Sequence, residues 1–108
     1  MSLSYRVLGQ ALPGTTNTTV YNVKVGANAI ISSILVCNQS ATGGLYQIGV
    51  VPNGASLATT NYISYNSAVP GNDTMTLTPG ISLGSNDAIV VYANTSSISF
   101  SVFGCEIT

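Results

Sequence analysis

Short apolar segments separated by turn residues run along the whole chain, and this spacing restricts the folds open to it. Pro13-Gly14, Pro70-Gly71 and Pro79-Gly80 suit type II turns, in which glycine supplies the positive φ of the third position. Asn53-Gly54 is a pair typical of tight hairpins. No segment has the sustained 3.6-residue period of an amphipathic helix. The sequence therefore predicts an all-β protein.

The turns delimit about eight candidate strands, at the spacing expected of a sandwich or a barrel. Eight antiparallel strands fit a two-sheet β-sandwich, most simply a jelly roll, and an eight-stranded up-and-down barrel is the lesser alternative. The short Ile81–Leu83 segment is predicted to extend the sixth strand across the Pro79-Gly80 turn. We expect residues 1–108 to form a single domain. The candidate strands are Leu3–Gly9, Thr19–Val25, Ala29–Asn38, Leu45–Val51, Tyr62–Tyr65, Thr74–Thr78, Ala88–Ala93 and Ser97–Ile107.

Residues 1–19 allow two interpretations. Leu3, Tyr5 and Val7 alternate with polar residues, as in a half-buried strand, whereas the stretch from residue 12 to 19 has no core pattern. One interpretation is an N-terminal arm and linker, whose strand adds to a neighbouring subunit or to a surface beneath it. The other is an ordinary first strand within its own sandwich.

The last candidate strand is apolar on both faces, because its apolar parity changes at Phe103. A half-buried strand needs only one apolar face. A bulge near Gly104 is one explanation, since it would return Phe103, Cys105 and Ile107 to the core face.

Two other strands are apolar on both faces without any glycine to mark a bulge, Ala29–Cys37 and Ala88–Ala93. Their surplus apolar surface predicts a closed homo-oligomer, which buries identical patches without open-ended growth, and we expect a homotrimer. The residues expected at the interface are Leu3, Tyr5, Val7, Ile31, Leu35, Ile89, Val91, Phe103 and Ile107.

Charged residues make up only 5% of the chain, against roughly 25% in ordinary domains. The two cations, Arg6 and Lys24, cannot neutralise a nucleic acid backbone, so no nucleic acid partner is predicted. A net charge of -1 gives no attraction to an anionic membrane, and no apolar run approaches the ~20 residues that span a bilayer. The N-terminal sequence has no secretory pattern, so we expect synthesis in a cytoplasm unless such a segment is removed.

Catalytic and metal-binding groups are scarce. The chain has no His, and its acidic residues are Asp73, Asp87 and Glu106, so neither a base for a serine nucleophile nor the carboxylates of a calcium site are available. Asp73 and Asp87 each precede an apolar run and are expected to cap turns. We predict that the protein is not an enzyme and has no cofactor or metal.

The remaining motifs do not indicate a functional site either. Cys37 and Cys105 lie in apolar strand patterns, which favours two free thiols over a disulfide. Four Asn-X-Ser/Thr patterns, among them Asn38-Gln39-Ser40, are attributed to chance in a chain rich in these residues.

Five short motifs resemble those of one group of proteins: VCNQS at Val36–Ser40, PNGASL at Pro52–Leu57, NYISY at Asn61–Tyr65, GNDT at Gly71–Thr74 and FGCEI at Phe103–Ile107. With the strands around them, they resemble a family of small virion proteins of tailed bacteriophages, especially phages of cyanobacteria and marine bacteria. The resemblance runs from about Asn22 onward and includes no catalytic signature.

The resemblance implies a β-sandwich protein of the virion. Such proteins look like capsid decoration (cement) proteins, which bind the major capsid protein on the head surface as trimers; the expected interface would then contact another subunit or the capsid. The alternative is a tail-associated fibre or receptor-binding module that recognises a host surface glycan, for which the six tyrosines offer a platform. At 108 residues there is no room for a fibre shaft or a tail-attachment domain, which favours the cement role.

Overall fold

The computed structural model describes residues 2–53 and 55–108; Met1 and Gly54, the glycine of the predicted Asn53-Gly54 turn, lie outside the described residues. Within these ranges, no helix has the length and hydropathy needed to cross a membrane. A 3-10 turn spans Thr59–Asn61. The strands are β1 (Leu3–Ala11), β2 (Thr18–Asn22), β3 (Asn28–Asn38), β4 (Gly44–Val51), β5 (Tyr62–Val69), β6 (Thr74–Leu77), β7 (Ile81–Leu83), β8 (Ala88–Ala93) and β9 (Ile98–Ile107).

The strands form two antiparallel sheets. Sheet A has the order β1-β9-β3-β6, with β7 also paired to β3, and sheet B has the order β2-β8-β4-β5. The chain changes sheets at every connection except the β4–β5 hairpin and the β6–β7 break. Counting β6 and β7 as one interrupted strand, this is the eight-stranded jelly-roll arrangement. The predicted all-β sandwich is confirmed.

The break between β6 and β7 falls at Pro79-Gly80, where Gly80 has a φ of 62°. Both pieces pair with β3, β7 with Ala29–Ile31 and β6 with Ile34–Cys37. The prediction that Ile81–Leu83 extends the sixth strand is therefore confirmed.

The core lies between the sheets and is filled from both. The ring of Phe100 on β9 packs edge-on against Tyr46 on β4, with ring centroids 6.1 Å apart. Burial of each large aliphatic side chain stabilises the fold by roughly 1.5–3 kcal/mol. The largest fully buried side chains are Phe100, Ile31, Ile34, Ile48, Ile89 and Ile98.

Strand β9 keeps one regular alternation along its length. Phe100 and Val102 face the core, and Phe103 and Ile107 face outward. A bulge near Gly104, one of the two explanations considered for this strand, is wrong, because the register shifts lie instead in the two neighbouring strands, β1 and β3, opposite the Val102–Gly104 segment.

The bulge in β3 exchanges the faces of that strand. Pairing with β9 shifts between Ile31 and Ser33, so Ile31 and Ile34 both point into the core despite their opposite parity. Leu35 is half-buried on the outer face. The interface predicted at Ile31 is therefore wrong, because this side chain is fully buried in its own subunit.

In strand β8 the odd-numbered residues face the core, whereas the predicted interface required them to face outward. Ile89 and Val91 are fully buried between the sheets, and Val90 and Tyr92 are half-buried on the outer face. The interface predicted at Ile89 and Val91 is also wrong, since no partner can contact side chains that their own subunit encloses.

The N-terminal segment lies in its own sandwich. Strand β1 pairs with β9 from Leu3 to Ala11, and Ser2 and Thr108 exchange two backbone hydrogen bonds of 2.9 Å. This is the arrangement expected in the second interpretation, an ordinary first strand. The first interpretation, in which residues 1–19 act as an arm between subunits of an assembly, stays a prediction because it concerns contacts outside the single chain.

Asp87 caps a turn, as predicted, and Asp73 bonds the first amide of strand β6. Asp87 accepts hydrogen bonds from the backbone N–H of Asn53 at 2.9 Å and of Gly84 at 2.8 Å. Asp73 accepts one from the N–H of Thr74 at 2.8 Å. Both carboxylates thus hold the loops that lead into strands.

Candidate interaction surface

A contiguous apolar surface covers one half of the outer side of sheet A. We call it the apolar face and define it as Leu3, Tyr5, Val7, Ile30, Phe103 and Ile107. Tyr5 is 79% exposed, and Leu3, Val7 and Ile30 are each close to half exposed. Between these side chains runs an open groove of about 570 Å³. Contiguous apolar surface of this kind marks sites of protein contact more often than isolated exposed residues do.

The register of the strands creates this surface. Leu3 pairs with Ile107, Tyr5 with Cys105 and Val7 with Phe103. Directly opposite residues in a sheet point to the same side, so the outward apolar row of β1 lies beside that of β9. Ile30 of β3 joins from the other side of β9, opposite Cys105.

The two bulges set the limit of the apolar face. Beyond Leu8 of β1 the outer face becomes polar, and Gln10 donates a 3.2 Å hydrogen bond to the hydroxyl of Ser101 on β9. Beyond Ser32 of β3, the outward residue Leu35 lies opposite Ser101. The apolar face is therefore confined to the half of sheet A that contains the Ser2–Thr108 end of the β1–β9 pairing.

Five of the nine residues predicted at an interface lie together in this face: Leu3, Tyr5, Val7, Phe103 and Ile107. Leu35 is also on the outer side of sheet A, but on the far side of the β3 bulge. Ile30 belongs to the face and was missed, because its parity matches that of the core residues Ile34 and Val36. Only the position of the bulge, which no glycine marks, separates them.

An ion pair lies at the border of the apolar face and joins the two sheets. Arg6 on β1 donates to Glu106 Oε1 on β9 at 3.0 Å, and the hydroxyl of Tyr21 on β2 donates to Glu106 Oε2 at 2.7 Å. The Glu106 side chain is 11% exposed and that of Arg6 is 47% exposed. The carboxylate thus connects sheet A to sheet B and balances the Arg6 charge.

These contacts shift two pKa values in opposite directions. The hydrogen bond from Tyr21, followed by that from Arg6, holds the pKa of Glu106 below its ordinary value of 4.5. Burial, together with the bond to Glu106, raises the pKa of Tyr21 above its ordinary value. Glu106 is therefore ionised and Tyr21 neutral at neutral pH.

The shift at Glu106 predicts an acid-dependent loss of stability. Because its pKa is lower in the folded chain than in the unfolded one, the ionised carboxylate stabilises the fold fully above about pH 4.5, and this contribution is lost as the pH falls through the lowered value. Thermal melts between about pH 3 and pH 7 should show this loss in the native protein. Glu106→Gln should cost about 1.5–3 kcal/mol at neutral pH and remove most of the acid dependence. Parallel pH profiles for the two proteins would contradict the assignment.

A buried asparagine organises the loops at the other end of the sandwich. Asn38, at the end of β3, is 1% exposed. Its side-chain N–H groups donate to the backbone oxygens of Thr42 at 2.9 Å and Val69 at 3.4 Å. Its side-chain oxygen accepts from Ser40 N and Ser97 Oγ, both at 3.0 Å. The Asn38-Gln39-Ser40 pattern is thus structural, a role that the pattern alone did not indicate because two of the four partners, Val69 and Ser97, are distant in sequence.

The tyrosines do not converge on one platform. Tyr21 and Tyr46 are buried in the core, and Tyr5 lies on sheet A. The rings of Tyr62 and Tyr65 form a T-shaped pair with centroids 4.9 Å apart, on strand β5 at the edge of sheet B. A sugar platform of six tyrosines is therefore absent from the described chain.

Side chains with redox or metal chemistry are dispersed. Cys37 and Cys105 are free thiols, as predicted. Among residues 2–53 and 55–108, no three His, Cys, Asp or Glu side chains are grouped so that they could hold a metal ion.

Neither models of protein families nor curated protein sequences match this chain. Among solved structures, it is similar to a chain in the structure of infectious bursal disease virus Gx strain, with a TM-score of 0.51 and 9% sequence identity over 97% of its own length. It spans 31% of the length of that chain. At this level of identity the likeness shows that the two share the β-sandwich fold.

Proposed function

We propose that this protein is a structural component of a virus particle, and that it acts as a decoration protein on the capsid of a tailed phage. In this role it associates with further copies of itself and binds the major capsid protein on the head surface, after synthesis in the host cytoplasm. The observation that carries the proposal is the exposed apolar face of sheet A, a surface suited to protein contact and not to chemistry.

The fold supports the structural role. Jelly-roll sandwiches occur widely as viral capsid domains, and the structural likeness is to a chain of a virus structure. Fold alone does not determine function, so the proposal depends on the surface as well.

The motifs of the phage-protein resemblance lie at the features described above. FGCEI supplies Phe103 and Ile107 of the apolar face and also Glu106. VCNQS contains Asn38, which holds the loops at the opposite end. Two of the five motifs therefore contribute to a contact surface and to a scaffold, which supports a protein that works by assembly.

Cryo-electron microscopy of purified particles of the encoding virus tests this role. We expect density fitting the sandwich at regular positions on the outside of the head. Density at the tail would contradict the decoration role and favour receptor binding, which glycan arrays would then examine. Particles from which the protein is absent by mass spectrometry would contradict both.

A further inference from the structure

Strand β1 is an open edge of sheet A. In the described chain it pairs with β9 on one side and with no strand on the other. Ser2 and Thr108 form a hydrogen-bonded pair, and bonded pairs alternate along an antiparallel ladder. The backbone groups of Ser4 and Arg6 therefore point to β9, and those of Leu3, Tyr5 and Val7 point to the open edge.

The other three sheet edges are interrupted. β6 and β7 are separated by Pro79-Gly80, and β2 has a register shift between Thr19 and Tyr21. β5 has Asn66 at a φ of 51°, with shifts in its pairing to β4. Interruptions of this kind prevent edge-to-edge pairing. The first half of β1, before its own bulge at Leu8, has none, so it is the edge best suited to accept another strand.

The charge of this edge is compatible with a second copy of the same chain. Arg6 is its only charged residue. The guanidinium donates to Glu106 at 3.0 Å, so its charge is balanced within the subunit. It also donates to the edge-facing backbone oxygen of Val7 at 3.2 Å, and the second lone pair of that oxygen is left for a partner strand. Two identical edges can therefore approach without the repulsion that like charges opposite each other would cause.

We propose that β1 pairs antiparallel with β1 of a second copy, about a twofold axis at Tyr5. In this register Tyr5 lies opposite Tyr5 of the partner subunit, and Leu3 lies opposite Val7 of the partner subunit. In this register Leu3, Tyr5 and Val7, the three residues whose backbone groups point to the open edge, all lie in hydrogen-bonded pairs. It also places the two outward apolar rows side by side, which joins the apolar faces of the two subunits into one.

This contact specifies the self-association on which the proposed function depends, and it changes its symmetry. An edge that pairs with its own copy forms an isologous, twofold interface. The unit is therefore a dimer, in place of the trimer that the phage-protein resemblance implies. The experiments use the isolated protein, so they test the β1–β1 contact between two copies whether or not the protein decorates a capsid.

Cross-linking tests the register. Tyr5→Cys, in a Cys37→Ser and Cys105→Ser background, should form a disulfide-linked dimer under mild oxidation. The two Cα atoms of a hydrogen-bonded antiparallel pair are about 5.5 Å apart, within the roughly 4.4–6.8 Å of disulfides. Ile63→Cys in the same background is the matched control, since Ile63 is 49% exposed on β5 of the other sheet. Equal cross-linking of the two variants would overturn the register.

Charge substitution tests the axis. By light scattering, the native protein should have twice the 11.0 kDa mass of the chain. Tyr5→Asp and Tyr5→Lys should each be monomeric, because like charges would meet at the axis, and an equimolar mixture should recover the dimer mass. Ile63→Asp should remain dimeric. A monomeric or trimeric native protein, or a mixture that stays monomeric, would overturn the proposal.

Discussion

Asn38→Leu should lower the free energy of unfolding by about 3–5 kcal/mol, the largest loss we expect from any single polar side chain. Leucine has a similar size but no hydrogen-bonding groups. The substitution would leave the oxygens of Thr42 and Val69 and the donors of Ser40 and Ser97 without partners inside the loop cluster. The melting temperature should fall by at least roughly 12 °C.

The matched control for this variant is Asn28→Leu, the same change at the other, exposed end of β3. It should alter stability by no more than about 0.5 kcal/mol. Urea unfolding of both variants measures the two losses in the free energy of unfolding. Equal losses would mean that Asn38 acts through strand propensity and not through its buried hydrogen bonds.

Gly104→Ala should destabilise the protein by about 3 kcal/mol or more, although alanine adds only one methyl group. A Cβ atom at Gly104 would overlap the carbonyl oxygen of Ile30 and approach the Cα of Ile31 at 3.1 Å. These are backbone atoms of β3, which cannot rotate away as a side chain can. The strands would have to separate at the point where β3 bulges.

Gly43→Ala is the control for this effect. Its Cβ would meet the oxygen of Val69 at 3.6 Å, an ordinary van der Waals contact. We expect this variant to unfold within about 1 kcal/mol of the native protein. If Gly104→Ala were equally stable, the close approach of β9 and β3 described here would be incorrect.

The sandwich could be predicted because its signals are local. Turn residues at regular intervals mark the ends of strands, and the Pro79-Gly80 pair marks the break in the sixth strand. The alternation of β9 also identified Phe103 and Ile107 as a second apolar row. Such patterns depend on the period of a strand and need no knowledge of its neighbours.

The faces of β3 and β8 could not be predicted because their signals are not local. In β8 both parities are apolar, and only packing against sheet A selects Ile89 and Val91 for the core. In β3 the bulge at Ser32 reverses the pattern, and serine gives no sign of it. The role of Asn38 depends on loops as distant in sequence as Ser97.

The pairing of β1 with β9 has a consequence for how this chain folds as it is made. β9 lies between β1 and β3, so sheet A cannot close until the last strand has left the ribosome. Until then the apolar row of β1 has no neighbour within the chain, and such delayed, non-local pairing is slow and exposed to aggregation. On a polysome, adjacent nascent chains display this same row. Prompt arrival of β9 therefore determines whether two chains meet as folded subunits or as unfolded ones.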